Sequence, residues 1–240
     1  MQTGCVVEVA YRERPARVPG AVLWTRTADG RAYRVLPDGC MDLLWIEGTL
    51  VVAGPDSRAY DGSAEGGTRF AALRFAPGRA PSLLGVPARE VLDQRVPLAE
   101  LWSARRVRRL ADRVGTAADP AVALEDAASE LFDQAPDPLT THVLRGVRRG
   151  LGVPELAAGV GLSERQLHRR CLDAFGYGPK MLDRVLRLNR ALDRARSGSP
   201  LAEVAARTGY ADQAHFSRDV KALTGVPPRV LLAPERVPAG

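Results

Sequence analysis

Hydrophobic positions change their rhythm twice along this 240-residue chain. They first come as short β-branched and aromatic runs at 22–27, 33–36, 41–46, 49–53 and 69–75, cut by Asp29-Gly30, Pro37-Asp38-Gly39, Glu47-Gly48 and a Gly-rich stretch at 54–67. Runs of this length between frequent turn residues predict strands, folded here as a small sandwich or barrel. After Pro77-Gly78 the spacing becomes helical, with a short piece near 81–84, a longer helix at 98–114 and another at 121–132. Ala135-Pro136-Asp137-Pro138 is the best boundary before the last part. The expected fold class is α+β: a β-rich domain over 1–95, a helical connector over 96–138 and an all-α domain over 139–240.

The last part says the same thing twice. Gly-Leu-Ser-Glu-Arg-Gln-Leu-His-Arg-Arg at 161–170 is echoed by Gly-Tyr-Ala-Asp-Gln-Ala-His-Phe-Ser-Arg at 209–218. Each follows a short helix carrying Ala-Ala and precedes a Gly-x-x-Pro stop. Leu156, Ala157 and Val160 mark one face of the first lead helix, and Leu167, Cys171 and Phe175 recur at i+4 on the helix that follows. Val204, Ala205, Phe216 and Val220 repeat the scheme. Two tandem helix-turn-helix units are predicted, with the short side chains of Ala157 and Ala205 letting the helices cross closely. The offset is 48 residues at Gly161/Gly209 and 49 at Gly176/Gly225, so the second turn holds one extra residue. Between the copies, residues 180–196 predict one long helix with Met181, Val185, Leu188, Leu192 and Ala195 as an apolar seam. Arg184, Arg187, Arg190 and Arg194 fall elsewhere on its surface. Such a rod would let one chain place both second helices in neighbouring groove turns, about 34 Å apart.

The stretch from about 144 to 231 resembles the DNA-binding domain of the AraC/XylS family of bacterial transcription regulators. The resemblance rests on Arg187-Leu188-Asn189-Arg190-Ala191 in the long helix and on the 209–218 segment, and it covers a little over a third of the chain. It implies a sequence-specific DNA-binding transcription regulator, with Arg187 packed against the module itself. The first part is similar to a poorly characterised N-terminal domain found before the same module in some regulators, through Leu36-Pro37-Asp38-Gly39-Cys40-Met41-Asp42-Leu43 and Arg74-Phe75-Ala76-Pro77-Gly78. That second resemblance implies a sensing or dimerising domain and brings no known ligand. The expected partners are double-stranded DNA, with RNA polymerase, a small-molecule effector and a second copy of the chain as further candidates. No membrane partner and no cofactor are expected.

Charge is divided in the same way. Residues 139–240 hold 17 Lys plus Arg against 9 Asp plus Glu, a net of +8, whereas residues 1–138 hold 17 against 19, a net of −2. Sequence-independent DNA affinity comes from basic side chains that displace counterions, so the excess falls where the repeat predicts DNA contact. If Leu167 faces inward, Glu164, Arg165, His168 and Arg169 lie on the outer face near the helix start, where a recognition helix meets base edges. With Phe216 inward, Gln213, Ala214, Ser217 and Arg218 do the same in the second unit. Arginine suits guanine, glutamine suits adenine, and a methyl side chain suits thymine. His215 is assigned a structural or phosphate-contacting role. The run Arg105-Arg106-Val107-Arg108-Arg109 is flanked by Glu100 and Asp112 and reads as a solvated helix face.

Enzyme chemistry finds little support. The only histidines are His142, His168 and His215, so the β-rich part cannot build a His-based metal site, and no phosphate loop or nucleophile elbow occurs. Cys5, Cys40 and Cys171 have neither metal spacing nor an even count, which suits a reducing cytoplasm. No apolar run approaches 18 residues, so neither a membrane span nor a secretion leader is expected. One alternative keeps DNA binding as output and makes Cys40 a redox or electrophile sensor, against which Asp38 and Asp42 would raise the thiol's pKa. Another is a non-specific architectural DNA binder. For an effector pocket the candidate lining residues are Trp24, Tyr33, Trp45 and Arg74, although the three aromatics also suit a plain core.

Overall fold

The computed structural model describes residues 11–131 and 137–233. The expected helix end at Phe132, Ala135 and Pro136 of the boundary, and Cys5 lie outside them. Six strands, β1 (Arg12–Pro15), β2 (Ala21–Thr27), β7 (Arg69–Phe75), β4 (Met41–Ile46), β5 (Thr49–Ala53) and β8 (Arg95–Pro97), form one antiparallel sheet in the order β1-β2-β7-β4-β5-β8. A two-stranded ribbon pairs β3 (Tyr33–Val35) with β6 (Tyr60–Gly62). The register places Leu23, Leu73, Leu43, Val52 and Val96 side by side across the sheet, all buried on one face. The alternate row of Trp24, Ala72 and Leu44 is buried on the other, as period-2 alternation requires.

The first face carries the larger core. Against it pack α1 (Ala80–Leu84), a 3₁₀ turn (Ala88–Val91), α2 (Leu98–Leu101), α3 (Ala104–Gly115) and α4 (Pro120–Leu131). The connector helices thus share the sheet's core. The helix expected over 98–114 is broken at Trp102, which turns extended (φ −120°, ψ 159°) and donates its indole N–H to the Leu84 carbonyl at 2.8 Å. Burying this large ring with its one polar atom satisfied outweighs helical continuity. α3 restarts behind Ser103, and Arg106 lies 3.5 Å over the Trp102 ring. Buried Glu125 ties α4 to the first strand by accepting from Arg14, from the Arg17 backbone and from its guanidinium, which hold its carboxyl down at about 2.

The C-terminal half is helical throughout its described residues: α5 (Pro138–Arg148), α6 (Val153–Ala158), α7 (Glu164–Phe175), α8 (Pro179–Arg196), α9 (Leu201–Thr208), α10 (Gln213–Thr224) and α11 (Pro228–Leu231). Asp137 caps α5 and Pro138 opens it. Two apolar cores form on the one long helix. Leu182 and Val185 join Leu156, Ala157, Leu167 and Phe175, while Leu188, Ala191 and Leu192 join Val204, Ala205, Phe216 and Val220. Met181 and Ala195, expected in a single seam, are half-buried, because a helix serving two cores buries a wider stripe. With 18 residues α8 is about 27 Å long.

Candidate nucleic-acid interface

The two units close their turns by the same hydrogen bonds. Leu162 N–H donates to the Ala157 carbonyl at 3.0 Å, and Tyr210 N–H donates to the Ala205 carbonyl at 3.1 Å. Each six-residue closure needs a left-handed residue just before it, and Gly161 (φ +67°) and Gly209 (φ +85°) supply it. The copies diverge after the glycine. Leu162 and Ser163 lead into α7, whereas Tyr210, Ala211 and Asp212 lead into α10, so the extra residue falls in the second turn.

Caps then set where each helix begins. Ser163 Oγ accepts from Gln166 N–H at 3.3 Å, and the Gln166 side chain accepts from Ser163 N–H at 2.9 Å. This reciprocal box orients the first turn of α7. In α10 the Asp212 carboxylate accepts from His215 N–H at 2.6 Å, and His215 Nδ1 accepts from Ala211 N–H at 3.3 Å. His215 takes the place of Gln166, a structural contact and one of the two roles expected of it.

With Leu167 and Phe216 fully buried, Glu164, Arg165, His168, Arg169, Gln213, Ala214 and Arg218 are exposed, and Ser217 is half-buried. They fall on the outer side of the first turns of α7 and α10. His168 differs from its neighbours, since its ring lies over Gly178, where any Cβ would collide with it. Cys171 is buried, and burial pushes its thiol up to about 12.

One group of side chains was not legible in the repeat. Asp219 is buried on α10 and is paired by Arg184 Nε from α8, with Tyr210 donating its hydroxyl at 3.1 Å and Arg187 4.0 Å away. Arg187 also lies 4.7 Å over the Tyr210 ring and pairs with Asp183 at 3.7 Å. Arg184 and Arg187, placed by their spacing on the open surface, are thus turned onto the second unit, as the family resemblance implies for Arg187. The signal was present at one position: aligned on their caps, the copies place Asp219 opposite exposed Arg170.

The four candidate pocket residues are not brought together. Trp45 belongs to the larger core, where its indole lies beside Gly115. Trp24 is on the other sheet face, with Arg74 5.7 Å over its ring and Arg74 pairing with Asp42. Tyr33 stacks under Arg26 at 4.4 Å. A cavity of about 650 Å³ lies between the sheet and the junction of α3 with α4, lined by Thr25, Thr27, Phe70, Gly115, Ala121 and, of the four candidates, Trp45. Cys40 is half-buried, its backbone N–H donating to Asp38, and burial with Asp38 and Asp42 pushes its thiol well up. Among the described residues no helix is long and apolar enough to cross a membrane.

Two capped helices presenting polar faces from a pair of linked cores define a tandem helix-turn-helix protein. Residues 156–233 match the family model of a helix-turn-helix domain, and residues 21–97 match that of a domain of unknown function, DUF6597. The chain is a transcription regulator with an AraC-type DNA-binding domain behind a DUF6597 domain. No curated protein matches the sequence. Among solved structures, ToxT from Vibrio cholerae O395 is 10% identical, with 88% of this chain and 96% of that chain covered at a TM-score of 0.47. Unsaturated fatty acid bound ToxT from strain SCE256 is 12% identical, with 91% and 96% covered, also at 0.47.

Proposed function

We propose that this regulator reads two successive major-groove segments of one duplex, α7 entering the first and α10 the second. The observation that carries the reading is the common placement of the outer residues: both sets lie at the capped starts of helices whose opposite faces are locked into cores sharing α8. Glu164, Arg165, His168 and Arg169 face the first segment, and Gln213, Ala214, Ser217 and Arg218 the second. Arg165, Arg169 and Arg218 suit guanine O6 and N7, Gln213 suits adenine, and Ala214 suits a thymine methyl. In this reading residues 139–240 are the DNA-binding domain, residues 1–95 the sensing or dimerising domain and residues 96–138 the connector. The cavity beside Trp45 is the place for a small-molecule effector. The raised Cys40 thiol disfavours the thiolate that a redox sensor requires.

Selection of duplexes from a random pool by the full chain tests this. Two conserved segments about one helical turn apart are expected. A pool that stays random at physiological salt would instead mark a non-specific binder.

A further inference from the structure

We propose that the N-terminal domain sets the spacing between the two recognition helices, holding each one at its C-terminal end. The inference rests on the two-segment reading above. It begins with a need that helix ends share: their last carbonyls have no partner within the helix. In α10 two of these are satisfied from the other domain. Ala59 N–H donates to the Leu223 carbonyl at 2.7 Å, and the Arg34 guanidinium donates to the Thr224 carbonyl at 3.3 Å. Arg34 is itself gripped by Asp61 through two hydrogen bonds at 2.6 and 3.1 Å. A guanidinium at a helix C-terminus is also favoured by the helix dipole.

The end of α7 is held by a different piece of the same domain. Arg89, on the 3₁₀ turn, pairs with Asp173 in the last turn of α7. Gly176, the left-handed residue that ends α7, sits so close to Pro55 that an added Cβ would approach Pro55 Cγ to 2.7 Å. Each hold adds an apolar anchor, Leu92 against the first core and Leu36 against the second. Between them, the Asn189 side chain on α8 donates to the Pro37 carbonyl at 2.9 Å.

A single short segment links the two holds. Pro55 meets the end of α7 and Ala59 meets the end of α10. The segment between is fixed to the sheet side by Asp56 with Arg95, at 2.9 and 2.7 Å, and by Ser57 with Asp93, at 2.6 and 2.7 Å. The held residues lie at the opposite ends of the helices from those facing DNA. The domain therefore stays seated while both helix starts occupy the groove, and it acts as a splint beside α8.

The test uses the full chain and duplexes carrying the two selected segments, with zero, one or two base pairs added between them. Each added pair moves the second segment about 3.4 Å and turns it about 35°. The wild type is expected to lose about tenfold or more per added pair. The variant R34E/R89E, repelled by Asp61 and Asp173, is expected to lose less than about threefold, while binding a duplex with one segment within about twofold of wild type. Adding D173R to R89E restores an ion pair and is expected to return spacing discrimination toward the wild-type ratio. The inference is overturned if R34E/R89E keeps that ratio, if it loses one-segment binding in parallel, or if D173R restores nothing to R89E. A wild type that selects two segments but tolerates added pairs overturns this inference alone, whereas one that selects no sequence overturns the reading beneath it.

Discussion

The two helix-turn-helix units are copies with different locks. The first is held by apolar packing, with Leu167, Cys171 and Phe175 buried on α7 and Arg170 left outside. The second puts Asp219 where the first has Arg170 and turns the position inward, onto Arg184, Tyr210 and Arg187. The outer faces diverge accordingly. α7 presents Arg165, Arg169 and Arg170 near its start, whereas α10 presents Gln213, Ala214 and Arg218. In the proposed reading one scaffold separates two tasks: the first unit contributes more phosphate attraction, and the second, with fewer charges, offers Gln213 and Ala214 to adenine and thymine beside Arg218 for guanine.

The largest effect should follow from breaking the second lock. Asp219→Ala leaves Arg184 and Arg187 without their shared carboxylate and the Tyr210 hydroxyl without its acceptor. Removing one partner of a buried ion pair typically costs about 3–5 kcal/mol. Arg184 is about a third exposed, so the lower end, about 3 kcal/mol, is expected. Arg170→Ala, at the aligned position, should change stability by less than about 0.5 kcal/mol. Urea unfolding of the two variants decides the matter, and equal losses would mean that the copies are locked alike.

Next come the reading residues. Arg169→Ala and Gln213→Ala should each cost about 1–3 kcal/mol on the selected site and relax preference at one or two base pairs in different segments. Both should leave the salt slope nearly unchanged, because base contacts neutralise no phosphate, whereas a phosphate contact at Arg169 would show as a slope lowered by about one unit. Binding titrations at two salt concentrations on the selected site, its single-base variants and random duplex measure both. A uniform loss on every sequence with base preference intact would remove these residues from the base-reading role.

Local signals carried most of the fold. The five strands read from apolar runs between turn residues fall within a residue of their expected limits; four of the runs lie in a sheet buried on both faces, and the fifth, β3, pairs in the ribbon. β1, β6 and β8 escaped, being short and, in the cases of β1 and β8, proline-containing edge strands. The tandem units were legible because duplication repeats apolar spacing and turn glycines together. Long-range contacts were not. Nothing near Leu36 or Leu92 announces that each packs onto a core more than fifty residues away, and the partition of Trp24 and Trp45 between two faces depends on register. Asp219 was within reach, since alignment on the caps sets it opposite Arg170, and a reversed charge marks a place where two copies can be used differently.

The turns should respond equally. Gly161→Ala and Gly209→Ala each force a side chain into left-handed backbone, at φ +67° and +85°, and neither meets a close neighbour. The cost is therefore conformational, about 1 kcal/mol apiece. Thermal unfolding of both variants measures it. A loss at only one glycine would show that the shared closure bears load in one copy alone.

The smallest expected effect concerns the side chains that complete the two caps. Gln166→Ala removes an acceptor from Ser163 N–H, and His215→Ala removes one from Ala211 N–H, each worth about 0.5–1 kcal/mol. His215 has a second contact: its ring meets Tyr210 edge-on with centroids 5.2 Å apart, and Tyr210 in turn donates to Asp219. His215→Ala should therefore cost slightly more than Gln166→Ala, and its effect should shrink in an Asp219→Ala background, where the network it supports is already gone. A double-mutant cycle by urea unfolding measures that coupling. Strict additivity, together with loss of DNA affinity at unchanged stability, would make His215 a phosphate contact instead of a cap.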